Sequence, residues 1–509
     1  MNDLRRMVER VQATETQSAF DQRVATQADQ LRAEIETGGF DSGGFAVGLE
    51  LECYGVDGDE RLTHVPESVF ESNDCSREIG RHNLEFNASP QQFDPAGVRA
   101  QAVELTETVA EIQQRLEPTG TRLVFDGMWT VPPAAGSKPY LEATKQVDGV
   151  TVAENMPTDS RYCAMDNVLL AAADGEISIS LPGATHQFST ILVESLTSSI
   201  QPHLQIPDAE SFPTYFNTAI RTLGPLLALS ANSPFLPGDL YNAVDDPHRL
   251  VEETPHELRI PVFEETVNCG DHTKACCPKD IGSPTDIVDR VVDDWTCGPF
   301  LREWDTAQSK PTAEGVGAYW EFTHKYGTYW RWIRGIIGGD ASGGDASGGS
   351  LRIEYRPLPT QPTVDDVLGL QWLTTGLIRG LVAADHPLVE LEWEKARQGF
   401  YNAVDDGLDA DLWWMTADGE PTGDPDVIYP ELFDCARRGL REQGHTDSEA
   451  EGLLAPMVDR WERGETPSQW KQTRVREQLD EGASLSEAII AMQTAYNRRS
   501  RDGEPFAYW

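Results

Sequence analysis

Two glutamates one residue apart, Glu50 and Glu52 in A-V-G-L-E-L-E-C-Y, are the first residues whose type and spacing can do chemistry. In a strand, successive side chains point to opposite faces, so both carboxylates share one side, roughly 7 Å apart. The opposite side carries Phe45, Val47, Leu49, Leu51 and Cys53, and Gly48 leaves room beside the acids. Three more segments follow the same grammar. Residues 83–87 set Asn83, Glu85 and Asn87 against Leu84 and Phe86. Residues 200–206 set Gln201, His203 and Gln205 against Ile200, Leu204 and Ile206. Residues 351–356 set Arg352, Glu354 and Arg356 against Leu351, Ile353 and Tyr355. Magnesium takes hard oxygen ligands, commonly carboxylates with water and substrate phosphate. Arginine makes bidentate contact with carboxylate or phosphate. A face bearing Glu50, Glu52, Glu85, Glu354, Arg352 and Arg356 suits a metal-bound nucleotide phosphate beside an acidic substrate. A solvated antiparallel face, with charges paired across strands, has the same pattern in any one strand. No P-loop is present, so phosphate would be held by metal and side chains.

Other residues are weighed against structural roles. In Y-G-T-Y-W-R-W-I-R (326–334), Arg331 or Arg334 can hold a substrate carboxylate, or else snorkel from an aromatic core. Arg249 and Arg259 are weaker candidates. Trp413, Trp414 and the final P-F-A-Y-W read as packing. Asn232 and Ser233 read as shaping a turn after a helix. Cys269, His272, Cys276 and Cys277 lie close in sequence, but their spacing is not a standard zinc pattern.

Positioning these groups requires a sheet whose apolar faces are covered by helices. Residues 1–37 read as polar, solvent-facing helix, with a glycine-rich loop up to 44. Residues 94–117 place Val98, Ala102, Leu105, Val109, Ile112 and Leu116 at helical spacing. A helix from about Phe212 bends or ends before Pro225. G-G-D-A-S-G-G-D-A-S-G-G-S (338–350) reads as a flexible hairpin connection or flap. Pro362–Asp366 reads as a capped helix start, followed by Leu370, Leu373, Leu377 and Leu381. Beyond 390 the pattern is helical and acidic, with a turn-rich stretch at 418–429. The expected division is 1–44 as a helical segment, 45–390 as the catalytic unit and 391–509 as a helical region packed on it.

The chain has 509 residues and a net charge of −43, with 8 Lys against 33 Arg. That charge disfavours nucleic acid and anionic membrane as partners. The acid excess runs along the whole chain. It fits a very salty cytosol, where repulsion between carboxylates is screened over about 3 Å at 1 M salt. No apolar run is long enough to span a membrane, and the N-terminus lacks a signal-peptide core, so a cytoplasmic location is expected. Eight cysteines in this length do not make a disulfide scaffold.

The same segments resemble the glutamate–cysteine ligase family, in the branch with related carboxylate–amine ligases. V-G-L-E-L-E-C-Y (47–54) is similar to that family's first metal-binding strand, and R-E-I-G-R-H-N-L-E-F-N-A-S-P (77–90) to its second acidic strand. A-L-S-A-N-S-P-F-L-P-G (228–238) is the closest match. S-L-R-I-E-Y-R (350–356) resembles its E-F-R strand. S-R-Y-C-A-M (160–165) and F-D-G-M-W (125–129) match more loosely. The resemblance implies an α+β fold. It has a curved, mainly antiparallel sheet with helices on one face, an open polar active-site face, and a C-terminal helical region. It implies that ATP phosphorylates the γ-carboxylate of glutamate and that the amine of cysteine attacks the acyl phosphate, with Mg2+ as cofactor. It assigns Glu50, Glu52, Glu85 and Glu354 to metal, and Glu354 with Arg356 to catalysis. Substrate or nucleotide binding is expected of His203, Gln205, Arg352, Arg334 and Asn87. Gln205 stands where many relatives have a second histidine, and Pro357 follows Arg356 where they continue with polar residues. Both departures bear on the acceptor. A different amine, or a non-catalytic metabolite-binding descendant, are the alternatives. A homo-oligomer is compatible with all of these.

Overall fold

The computed structural model describes residues 3–71, 75–304, 319–339 and 349–509. Its centre is a seven-stranded sheet: β1 (Ala46–Val56), β2 (Ser76–Arg77), β3 (Asn83–Gln92), β4 (Arg122–Val124), β5 (Ile200–Ile206), β6 (Ile333–Gly339) and β7 (Gly349–Tyr355). The order is β6-β7-β5-β1-β3-β2, with β4 pairing the end of β1, and every pairing is antiparallel. The sheet curls into a half-barrel. An irregularity between Val47 and Leu49 shifts the β1–β3 register and bends the strand.

The alternation expected of the four polar-faced strands is present. Val47, Leu49, Leu51, Cys53, Leu84, Phe86, Ile200, Leu204, Ile206, Leu351, Ile353 and Tyr355 all enter one hydrophobic core. Helix α1 (Val364–Ala383) covers that face. Thr363 caps its start by accepting the Asp366 N–H, and Leu370, Leu373, Leu377 and Leu381 are buried along it. Gln371 of this helix donates to the carbonyl of Gly48, at the floor of β1.

Two expectations change. The helix Thr14–Glu36 is not solvent-facing: Phe20, Val24, Ala28, Leu31 and Ile35 join the main core. Its charged residues conceal an apolar stripe at three- and four-residue spacing. The helix at Phe212 ends at Arg221, before Pro225 as expected, and a second runs from Leu223 to Ser230 with Pro225 in its first turn, where no N–H partner is lost. The turn-rich stretch at 418–429 yields its last residues to a helix, Pro425–Glu442, capped by Asp424. Strands β6 and β7 pair up to Gly339 and Gly349, and the rest of the Gly/Ser insert lies outside the described residues.

The C-terminal helices are joined through buried ion pairs to the helix that covers the sheet and to the loop after β4. Arg460 meets Asp366 at 2.9 Å, and Lys471 meets Asp126, with all four side chains inaccessible or nearly so.

Candidate active site

Register brings the polar residues together. Glu50 lies opposite Gln201, Gly48 and Glu354 each lie opposite His203, Glu52 opposite Glu85, and Arg352 opposite Gln205. The four acidic residues expected to bind metal share this face, but they divide between two ligand sets. In the first, Glu50, His203 and Glu354 each present a ligand atom within 4.8 Å of the others. His203 Nε2 is 3.4 Å from Glu50 and 3.7 Å from Glu354, and it is buried without a hydrogen-bond partner. His203 was expected to contact substrate or nucleotide; its place here is among the metal-ligating candidates. In the second set, Glu52 and Glu85 are joined by Glu78 within the same 4.8 Å limit. Sequence reasoning missed Glu78. It sits in the loop between β2 and β3, where no alternation marks it; its only signal was its place in the R-E-I-G-R segment.

Each carboxylate is held in place. Glu52 accepts the Ser199 N–H at 2.6 Å and the Gln201 amide at 2.9 Å. Glu85 accepts from Asn87 at 2.8 Å and Ser76 at 3.1 Å. Burial, then Glu50 and Glu52, push Glu85 up to about 8. Burial, then Glu85 and Glu52, push Glu78 well above the usual carboxylate range. Three half-buried carboxylates repel one another, and a divalent cation among them offsets that repulsion. Hard oxygen donors of this kind fit Mg2+. Glu354 behaves differently. Burial raises it, but Arg334 and Arg356 outweigh burial and hold it below the usual carboxylate range.

Arg334 grips Glu354 through Nε and Nη2, and its Nη1 donates to the carbonyls of Tyr326 and Tyr329. It lines neither cavity beside the sheet. The guanidinium expected to hold a substrate carboxylate is here engaged by Glu354. Arg356 donates to Gln201 and Glu354 and does face a cavity.

Two cavities flank the acidic belt. One of about 370 Å³ is lined by Glu52, Glu78, Tyr162, Glu194, Arg259 and Arg356, with an aromatic wall of Phe263, Phe300, Trp330 and Trp332. The other, of about 330 Å³, is lined by Gly48, Glu50, Asn87, His203, Gln205 and Arg352. Arg352 Nε and Gln205 Oε1 are buried there without partners. Both volumes suit small ligands.

The remaining candidates fall elsewhere. Arg249 pairs with Glu253 on an exposed helix, and Arg331 pairs with Asp294. Arg259 was a weak candidate but reaches the first cavity, braced by Glu257 and the Pro357 carbonyl. Asn232 is buried and bonds to the Thr360 carbonyl and Tyr496, as a structural residue does. Trp414 is buried and donates to Glu431. Cys269, His272, Cys276 and Cys277 form no ligand set among the described residues, and His272 stacks on Trp295.

Residues 46–490 match the glutamate–cysteine ligase family 2. No curated protein matches the sequence. Similar solved structures include a bifunctional glutathione synthetase from Pasteurella multocida, with 14% identity and a TM-score of 0.50. That match covers 93% of this chain and 55% of the other, so the chain spans about half of that protein's length. Another is the glutamate–cysteine ligase of Francisella tularensis in complex with AMP, with 13% identity, a TM-score of 0.49, and coverage of 92% and 91%. The Pasteurella structure shares the fold of this chain. With its family matched across nearly the whole length, the chain belongs to the glutamate–cysteine ligase family 2 and is a carboxylate–amine ligase.

Proposed function

We propose that the protein joins the γ-carboxylate of glutamate to the amine of cysteine, using ATP and Mg2+ and passing through an acyl phosphate. The observation that carries this reading is the position of two ligand sets, Glu50/His203/Glu354 and Glu52/Glu78/Glu85, on one sheet face between two cavities. The residues of both sets would hold Mg2+, which supplies electrostatic stabilisation of the transferring phosphoryl oxygens.

The chain's own groups divide the work. Arg352 and Gln205 offer an unpartnered donor and acceptor in the second cavity, where Gly48 leaves space; this suits the nucleotide. Arg259 and Arg356 bring positive charge to the first cavity, which suits glutamate. A carboxylate is a poor electrophile, and phosphorylation makes its oxygen a leaving group. Arg356 then lies beside Glu354 and Gln201, placed to offset charge on the reacting oxygens. Arg334 and Asn87 position Glu354 and Glu85.

The aromatic wall favours one second reading, an acceptor bulkier than cysteine. Purified protein with ATP, Mg2+ and glutamate, screened against amines for ADP release, separates the two. Cysteine should support turnover, and Glu52→Gln or Glu354→Gln should lose at least about 100-fold. ADP release with another amine and none with cysteine replaces cysteine by that amine.

A further inference from the structure

Glu194 is one of the charged groups that line the 370 Å³ cavity. It belongs to a short 3-10 turn, Ile191–Leu196, fixed at one end by Asp166 accepting the Ile191 N–H. At the other end, His82 and Asn83 both hold the Ser195 carbonyl. Several of its neighbours are committed. Glu52 accepts from Ser199 and Gln201, Asp159 from the Arg161 N–H, Arg356 serves Gln201 and Glu354, and Arg259 serves Glu257 and Pro357. Glu78 belongs to the second ligand set. The Glu194 carboxylate has no hydrogen-bond partner among the described residues, and it shares the cavity with Phe263, Trp330 and Trp332 as well as the Arg161 guanidinium. An anion and aromatic faces in one cavity are complementary to an ammonium ion.

We propose that Glu194 receives the ammonium group of the acceptor amino acid and takes its proton. This rests on the ligase reading above and names the residue that prepares the nucleophile. The ammonium gives one proton to the carboxylate. The freed nitrogen lone pair forms the C–N bond to the γ-carbonyl carbon, and the C–O bond to phosphate breaks with its electrons on the phosphate. The second N–H proton leaves with that phosphate. Burial and then Glu52 raise the proton affinity of Glu194, against the lowering pull of Arg356 and Arg259, which suits a group that takes up a proton.

The test compares two acceptors in the holoenzyme with ATP, Mg2+ and glutamate. Cysteine arrives as an ammonium ion; hydroxylamine is already neutral near pH 7 and traps the acyl phosphate as a hydroxamate. Glu194→Gln should slow the cysteine reaction by about 100-fold or more and leave hydroxamate formation near the wild-type rate. Glu194→Asp should recover part of the cysteine rate, and it stands in if the glutamine variant does not fold. An unchanged cysteine rate, or an equal loss with both acceptors, overturns the role of Glu194. Absence of hydroxamate with the wild-type protein overturns the ligase reading itself.

Discussion

Burial and two neighbouring carboxylates raise Glu85 to about 8, so the folded protein keeps a proton there that the unfolded chain releases near its ordinary value of 4.5. Between those values the native state binds more protons. Stability therefore falls as pH rises through this window, and the loss is complete above about 8. Thermal midpoints in chelator should be lower at pH about 8 than at about 5, and Mg2+ should flatten the slope by replacing the proton. A slope unaffected by Mg2+ would separate Glu85 from any cation. At this scale the sequence was legible where strands alternate: Glu50, Glu52, Glu85 and Glu354 all lie on the polar face. It was silent on Glu78, which a loop delivers, and on the partner of Arg334, since Glu354 is brought to it only by pairing of β6 with β7.

A strand's faces are local and readable; its neighbours are not. Alternation in β1, β3, β5 and β7 gave the faces, because side-chain direction depends only on the strand itself. The grouping of Glu50 with His203 and Glu354 needs the order β7-β5-β1, which joins segments about 150 residues apart in sequence. Buried apolar residues in Thr14–Glu36 were available at helical spacing but hidden by its polar composition. Gly48 shows what the element contributes to the site. A Cβ there meets His203 Cβ at 3.4 Å, an ordinary contact, so Gly48→Val should fold. Its methyl groups would enter the second cavity at a cost of about 1–3 kcal/mol. The KM for ATP should rise about tenfold with the KM for glutamate unchanged. An equal rise in both would separate the second cavity from the nucleotide.

Across the molecule, the C-terminal helices hold the sheet that holds the site. Lys471 donates to Asp126 and to the Asn232 carbonyl, and the Gly127 carbonyl next to Asp126 accepts the Ser198 N–H. Ser199 then donates to Glu52. Lys471→Met leaves Asp126 buried and unpaired, and it should cost about 3–5 kcal/mol. Asp126→Asn in the same chain should restore part of that in denaturant unfolding; no recovery would mean the pair is not the bolt. Helical character beyond 390 was legible from periodicity. The attachment was not, since each bolt joins residues far apart in sequence. The charge of −43 was legible from composition alone, and it still supports a salt-rich setting as an expectation. The proposed chemistry requires two cation sites side by side on the polar face. Crystals soaked with Mn2+ and a non-hydrolysable ATP analogue test this through anomalous scattering. One peak among Glu50, His203 and Glu354 and another among Glu52, Glu78 and Glu85 is the expected result; a nucleotide bound elsewhere, with no peak in either set, contradicts it.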